Sequence, residues 1–152
     1  MKRHHEGHGY DLWMTPPEIF SQLDEMFPGW NFSHHLETPG IYGYFDPCPP
    51  EWDGKTDGLD IDWPMSVPVF VNPPYSQIKF WAAKCREQAE RGCMVVLLIP
   101  SRTDTMYFHD NIYESADLYF IKGRVKFIHP DEPEGKRTPA PFPSMLCVWG
   151  LK

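Results

Sequence analysis

The chain reads as an α/β protein: a mixed, mostly parallel sheet with helices on both faces. Three observations predict this. Strand-like and helix-like stretches alternate along the chain, which implies helices laid over a sheet. Cys93 to Ile99 is an unbroken apolar run, as expected of a strand buried on both sides. The helix-like stretches keep their apolar residues on one face and are bounded by start and stop residues.

Taken in order, Thr15-Pro16-Pro17-Glu18 reads as a helix start, with Thr15 as N-cap, Pro16 at the first helical position and Glu18 closing a capping box. Ile19, Phe20, Leu23, Met26 and Phe27 share one face, and Pro28-Gly29 stops the helix. Tyr42 to Asp46 is a short aromatic strand candidate ending in the turn Asp46-Pro47-Cys48-Pro49-Pro50. A second strand spans Val67 to Val71, and a helix follows from Ser76 to Arg91, with Ser76 as cap and Gly92 past its end. Within it, Phe80 and Trp81 are expected in the core. After Pro100 ends the buried strand, a helix from Asp104 to Glu114 leads to three further strand candidates, Leu118 to Ile121, Val125 to Ile128 and Met145 to Gly150.

A chain of 152 residues suits one domain with a real core, expected over residues 11–152 after a flexible N-terminus at 1–10. Hydrophobic residues at 41% and aromatics at 15% exclude wholesale disorder. No apolar run approaches a membrane span, and the polar start Met1-Lys2-Arg3-His4-His5 is not a secretory signal, so a cytoplasmic location without membrane partners is expected. Cys48, Cys85, Cys93 and Cys147 form no C-x-x-C pair and read as reduced thiols without zinc. His4, His5 and His8 lie in a polar terminus, and no metal is assigned to them.

The densest chemical signal is Asn72-Pro73-Pro74-Tyr75, placed after the apolar run Val69-Phe70-Val71 and before a helix. An aromatic exocyclic amine, such as that of adenine, delocalises its lone pair into the ring. It becomes nucleophilic towards a sulfonium methyl when two acceptors hold its hydrogens out of the conjugated geometry. Asn72 can supply one through its side-chain oxygen, and the carbonyl of Pro73 the other, because consecutive prolines stiffen the backbone that aims it. Tyr75 offers a ring for a base that has left the duplex to stack on, worth about 1–3 kcal/mol. The same four residues also suit an ordinary turn after a strand. In α/β sheets ligands bind outside the carboxyl ends of strands, so Asp46-Pro47-Cys48 and Asn72 to Tyr75 are expected to share one crevice.

A net charge of −7 runs against phosphate binding, but its distribution is uneven. Seven carboxylates against one lysine lie between Glu37 and Asp62, whereas Arg102, Lys122, Arg124, Lys126, Lys136 and Arg137 gather in the C-terminal third. That end can face DNA, or be ordinary solvated surface.

Several stretches, in order, carry a resemblance: Asp11-Leu12-Trp13-Met14-Thr15-Pro16, Phe45-Asp46-Pro47-Cys48-Pro49, Asp57-Gly58-Leu59 with Trp63, Asn72 to Ser76, Leu98 to Thr105 with Phe108-His109, and Gly123-Arg124-Val125-Lys126-Phe127. Together they resemble the phage-type DNA N6-adenine methyltransferase (Dam-like) family. The resemblance implies a Rossmann-like S-adenosylmethionine-dependent methyltransferase fold, with S-adenosylmethionine as methyl donor, DNA as substrate, and the cytoplasm of a bacterium or phage-infected host as location. It implies that Thr15 and Pro16 line the methionine end of the donor, with Asp46, Pro47 and Cys48 beneath it. Asp57 or Asp60 would meet the ribose or adenine of the donor, and Leu59 would pack on its ring; Asp-Gly-Leu can equally be a turn. Asn72 to Tyr75 would be catalytic. Arg102 would hold a phosphate or a base edge, unless it pairs with Asp104 or Asp110 on the surface. Arg124 and Phe127 would border the flipped base, although Val125-Lys126-Phe127 also fits a plain half-buried strand.

Two other readings stay open on the sequence. A protein glutamine N5-methyltransferase uses the same loop on another planar, unreactive nitrogen, and a catalytically idle, DNA-associated domain of this fold would explain the negative charge and small size. Pro28 to Ile41 and Pro130 to Pro143 remain without a role; the latter, with Lys136 and Arg137, is either a loop that enters a DNA groove or a connector. Oligomeric state is open, with a dimer allowed.

Overall fold

The computed structural model describes residues 14–30, 32, the backbone of 45–46, 58–128, 137 and 139–150. Among them, five strands form one sheet: β1 Phe45–Asp46, β2 Val69–Val71, β3 Val95–Pro100, β4 Asp117–Phe120 and β5 Ser144–Trp149, in the spatial order β1-β2-β3-β5-β4. The class is the expected mixed α/β, but the mostly parallel sheet is corrected. Only β2–β3 pair in parallel; β1–β2, β3–β5 and β4–β5 are antiparallel. The cause is β5, which returns between β3 and β4 against their direction and so replaces one parallel ladder with two antiparallel ones. β2, β3 and β4 still run one way, so the loops after Val71, Pro100 and Phe120 leave the sheet at a common end.

Helices cover both faces, as expected. The pleat divides the side chains: Val69, Val71, Val95, Leu97, Ile99, Met145 and Cys147 meet the helix α2, Ile78–Arg91, through Ile78, Trp81, Ala82 and Cys85. Phe70, Val96, Leu98, Leu146 and Val148 meet the helix α1, Pro17–Met26, through Ile19, Phe20 and Leu23. Each large side chain buried this way contributes about 1.5–3 kcal/mol before chain entropy is subtracted. Phe20 meets Phe70 edge-on at 4.9 Å, while Trp63 stacks on Trp81 at 6.3 Å.

Local expectations hold unevenly. Pro16, not Thr15, occupies the cap position of α1, and no side chain caps that end. Ser76 is not a cap either: it lies inside a 3-10 turn, Tyr75–Gln77, that leads into α2. Gly92 closes α2 at φ 114, where its N–H reaches the carbonyls of Ala89 and Gln88. The helix expected over Asp104 to Glu114 contracts to a turn with a π-helical segment, Phe108–Ile112. Val125 to Ile128 alternates in burial as a strand would, yet only Ile128 pairs, in a single bridge with Met14. Trp81 is core, as expected, whereas Phe80 is 51% exposed.

Candidate active site

Asn72 emerges from the carboxyl end of β2 and is only 5% exposed. Its Nδ2 donates a hydrogen bond of 3.0 Å to Thr15 Oγ1. Because the amide is planar, Nδ2 on Thr15 turns Oδ1 the opposite way. Thr15 is itself placed from both sides: Met14 pairs with Ile128 through bonds of 2.9 and 3.0 Å, and Pro16-Pro17 opens α1. The hydroxyl expected to cap a helix is engaged by Asn72 of the Asn-Pro-Pro-Tyr loop instead, and Glu18, expected to complete the capping box, meets Arg137 at 3.1 Å. A backbone hydrogen bond in the first turn holds the Glu18 carboxyl below its ordinary range, and Arg137 adds to that.

Pro73 and Pro74 are buried. The Pro74 carbonyl accepts the Gln77 N–H at 2.9 Å and is thereby committed to the turn. Tyr75 is half-buried and held edge-on by two rings, Phe142 at 5.3 Å and Phe127 at 6.4 Å. Phe127 is 4% exposed, so it supports Tyr75 from the core rather than offering a free face.

One cleft borders this loop, and another lies beside α1. The first, of about 260 Å³, is lined by Tyr75, Lys79, Arg102 and Phe142, with the Arg102 guanidinium 6.0 Å from the Phe142 ring. Tyr107 also lines it, and burial pushes its hydroxyl up, so the group remains an O–H donor at neutral pH. The other, of about 570 Å³, gathers Pro16, Glu18, Lys122, Arg124, Lys126 and Arg137. The cationic cluster legible in the sequence therefore divides: Arg124 stands beside α1, and Arg102 beside Tyr75.

A crevice shared by Asp46-Pro47-Cys48 and Asn72 requires both loops to leave at one end of the sheet. β1 pairs with β2 antiparallel, Phe45 opposite Val71 and Asp46 opposite Phe70. Pro47, Cys48 and Asp57 lie outside the described residues, as does Lys136. Leu59 sits half-buried in a turn, Gly58–Asp60, packed on the α2 side of the core; Asp60 is exposed.

Trp63 Nε1 donates to the Gly58 carbonyl of this turn at 2.9 Å, and a residue the sequence reading overlooked holds Trp63 itself. Gln88, fully buried on α2, accepts the Trp63 N–H at 2.8 Å and Arg91 at 2.6 Å, and donates to Asp62 at 3.0 Å. The signal was present, since Gln88 falls on the same face as Trp81 and Cys85. Cys85, Cys93 and Cys147 are free and buried, and burial raises all three thiols, Cys147 to about 12. Among the described residues no cluster of His, Cys, Asp and Glu could hold a metal, and no helix is long and apolar enough to cross a membrane.

These features define a class: α/β proteins that carry an Asn-Pro-Pro-Tyr loop at the carboxyl end of an inner strand, with the asparagine amide bonded to a neighbouring hydroxyl. The profile of the family described as DNA N-6-adenine-methyltransferase (Dam) matches residues 3–151, and the chain belongs to that family. A DNA N-6-adenine-methyltransferase of Escherichia phage T1 is 25% identical over 112 residues, covering 74% of this chain and 45% of the relative. The chain thus spans less than half of that relative's length. No solved structure matches the chain.

Proposed function

We propose that the protein is a DNA methyltransferase that transfers a methyl group to the exocyclic N6 amine of an adenine turned out of the helix, working in the cytoplasm of a bacterium or phage-infected host. The observation that supports this reading is the Asn72–Thr15 hydrogen bond, which turns the amide oxygen of Asn72 away from Thr15 at the carboxyl end of β2. The second acceptor falls to the Pro73 carbonyl, because that of Pro74 is engaged by Gln77. These two oxygens take the amine hydrogens and release the nitrogen lone pair from the ring, while Tyr75, braced by Phe142 and Phe127, stacks the base.

The chemistry of the neighbouring side chains suits S-adenosylmethionine: Thr15 and Pro16 beside Asn72 offer a hydroxyl and a stiff apolar edge for its methionine end, and Leu59 offers a surface for its adenine. When bound, it supplies a sulfonium methyl group, whose bonding pair stays on sulfur. The adenine nitrogen becomes cationic only as it gains the methyl, and its surplus proton is then acidic enough to pass to water without a strong base. Asn72 and Pro73 hold that proton until it leaves. Arg102 and Arg124 are assigned to the nucleic acid, and one domain from residue 11 onward carries the site. A Rossmann-like methyltransferase fold is supported by β2, β3 and β4 running one way with β5 inserted against them.

The test replaces Asn72 by Ala. Labelled methyl transfer to an adenine-containing duplex should fall to background while calorimetry still shows S-adenosylmethionine binding. Persistent methylation by the variant would remove Asn72 from the mechanism. Wild-type transfer to a glutamine peptide but not to DNA would replace the substrate, and absence of donor binding by the wild type would leave only an idle domain.

A further inference from the structure

We propose that the cleft between Tyr75 and Arg102 is a phosphodiester seat, in which Lys79 and Arg102 neutralise phosphates of the DNA strand that carries the target base. This rests on the DNA-methyltransferase reading and assigns the strand its path past the catalytic loop. Charge is the first argument. The whole chain carries −7, yet this cleft is lined by two cations and, among the described residues, by no carboxylate.

Pairing is the second. Lys84, Arg86, Arg91 and Arg137 each stand within 4 Å of a carboxylate: Glu87 at 3.9 Å, Glu90 at 3.0 Å, Asp62 at 3.8 Å and Glu18 at 3.1 Å. Among the described residues, neither Lys79 nor Arg102 has such a partner, and the alternative pairing of Arg102 with Asp104 or Asp110 is not formed. In an acidic protein, two exposed cations facing one cleft with no carboxylate leave their charge available to a ligand.

Preorganisation is the third. The loop after β3 is tied down by the Arg102 N–H on the Pro100 carbonyl at 2.8 Å and by Thr105 Oγ1 donating to the Arg102 carbonyl at 2.8 Å. The Phe142 ring lies beside the guanidinium, and the same ring meets Tyr75 edge-on. Arg102, Phe142 and Tyr75 thus form one continuous row. Backbone held by Arg102 belongs to the stretch of strand whose base stacks on Tyr75. The volume, about 260 Å³, lies below the roughly 300–1,000 Å³ of small-molecule pockets, which fits a groove for a length of backbone rather than an enclosing site.

The experiment measures equilibrium binding of the full chain to an adenine-containing duplex between 50 and 200 mM salt, for the wild type, Lys79→Gln, Arg102→Gln and the double variant. Lys84→Gln, outside the cleft, is the control. Each cleft substitution should lower the slope of log K against log salt by about 0.9, so that the fourfold rise in salt costs the variant about 3.5-fold less affinity than it costs the wild type, and about 12-fold less for the double variant. The control slope and S-adenosylmethionine binding should not move, and the weakening should be the same on unrelated duplexes. Unchanged slopes in the cleft variants, with wild-type methylation intact, overturn the phosphodiester seat alone. A loss confined to one base position overturns it too, because Arg102 would then read a base edge. If the wild type neither binds nor methylates DNA, the seat falls together with the functional reading.

Discussion

Replacing Thr15 by Val removes one hydroxyl and leaves the side chain nearly the same shape. In the wild type that hydroxyl accepts from Asn72 Nδ2 at 3.0 Å, and Asn72 is 5% exposed, so water offers the stranded N–H little compensation. Leaving a buried donor without its acceptor costs about 1–3 kcal/mol, which a denaturant titration reads directly as a lower midpoint at unchanged slope. The catalytic consequence is separate. With the acceptor gone, the amide can turn over and present its NH₂ where the mechanism needs an oxygen. Losing the bias leaves the two orientations about equally populated, which corresponds to about a twofold fall in kcat. Single-turnover methylation of an adenine-containing duplex at saturating donor measures it. Thr15→Ser restores the hydroxyl and should recover most of the rate while remaining less stable than the wild type. A Thr15→Val enzyme with wild-type kcat and only a raised KM for S-adenosylmethionine would refute the reasoning, because Thr15 would then serve the donor and not the amide.

Gln88→Leu should destabilise the fold by about 2–3 kcal/mol, read by chemical denaturation, because the buried Trp63 N–H loses its acceptor. It should also weaken donor binding, because the turn bearing Leu59 adjoins that clamp. Gly92→Ala should cost about 1 kcal/mol, from forcing a Cβ onto φ 114 beside the Met65 sulfur at 3.4 Å, measured as a lower melting temperature with unchanged kcat. Trp81→Ala should cost about 3–5 kcal/mol, because the ring is 1% exposed and stacked on Trp63; a loss under 1 kcal/mol would mean that the site had collapsed around the change. Cys85, Cys93 and Cys147 should resist a thiol reagent at pH 8 in the native protein and react in denaturant, as mapped by mass spectrometry, since burial keeps all three protonated.

Periodicity made the fold largely legible. The apolar run before Pro100 became the strand at the centre of the sheet, and the two patterned helices took opposite faces because β2, β3 and β5 are buried at every position and need cover on both sides. Strand direction was not legible: nothing local in Met145 to Trp149 distinguishes a strand added at the edge from one inserted between β3 and β4, since that choice is made by long-range pairing. The crevice expected of Asp46-Pro47-Cys48 presumed a direction for β1, which pairs antiparallel to β2; Pro47 and Cys48 themselves lie outside the described residues. Val125 to Ile128 shows the limit of alternation, which reports burial and not pairing: Val125 and Phe127 point into the α1 side of the core while Ile128 forms an isolated bridge with Met14 and no residue of the stretch joins the sheet.

Thr15 is the most instructive departure. Thr-Pro-Pro-Glu has every local feature of a helix start, and the helix does begin there, yet the hydroxyl that should cap it bonds instead to a residue 57 positions away. Pro16 and Pro17 explain why the helix tolerates this. Neither has an N–H, so part of the donor deficit that a cap normally relieves never arises. Two prolines at a helix start thus release the preceding hydroxyl for other use, and a threonine before such a pair is a candidate to position a distant polar side chain as much as to cap a helix. Changing Pro17 to Ala restores a free N–H in the first turn and sets the helix in competition with Asn72 for Thr15. The expected result is a lower kcat with little loss of stability, and an unchanged kcat would show that the hydroxyl was never contested.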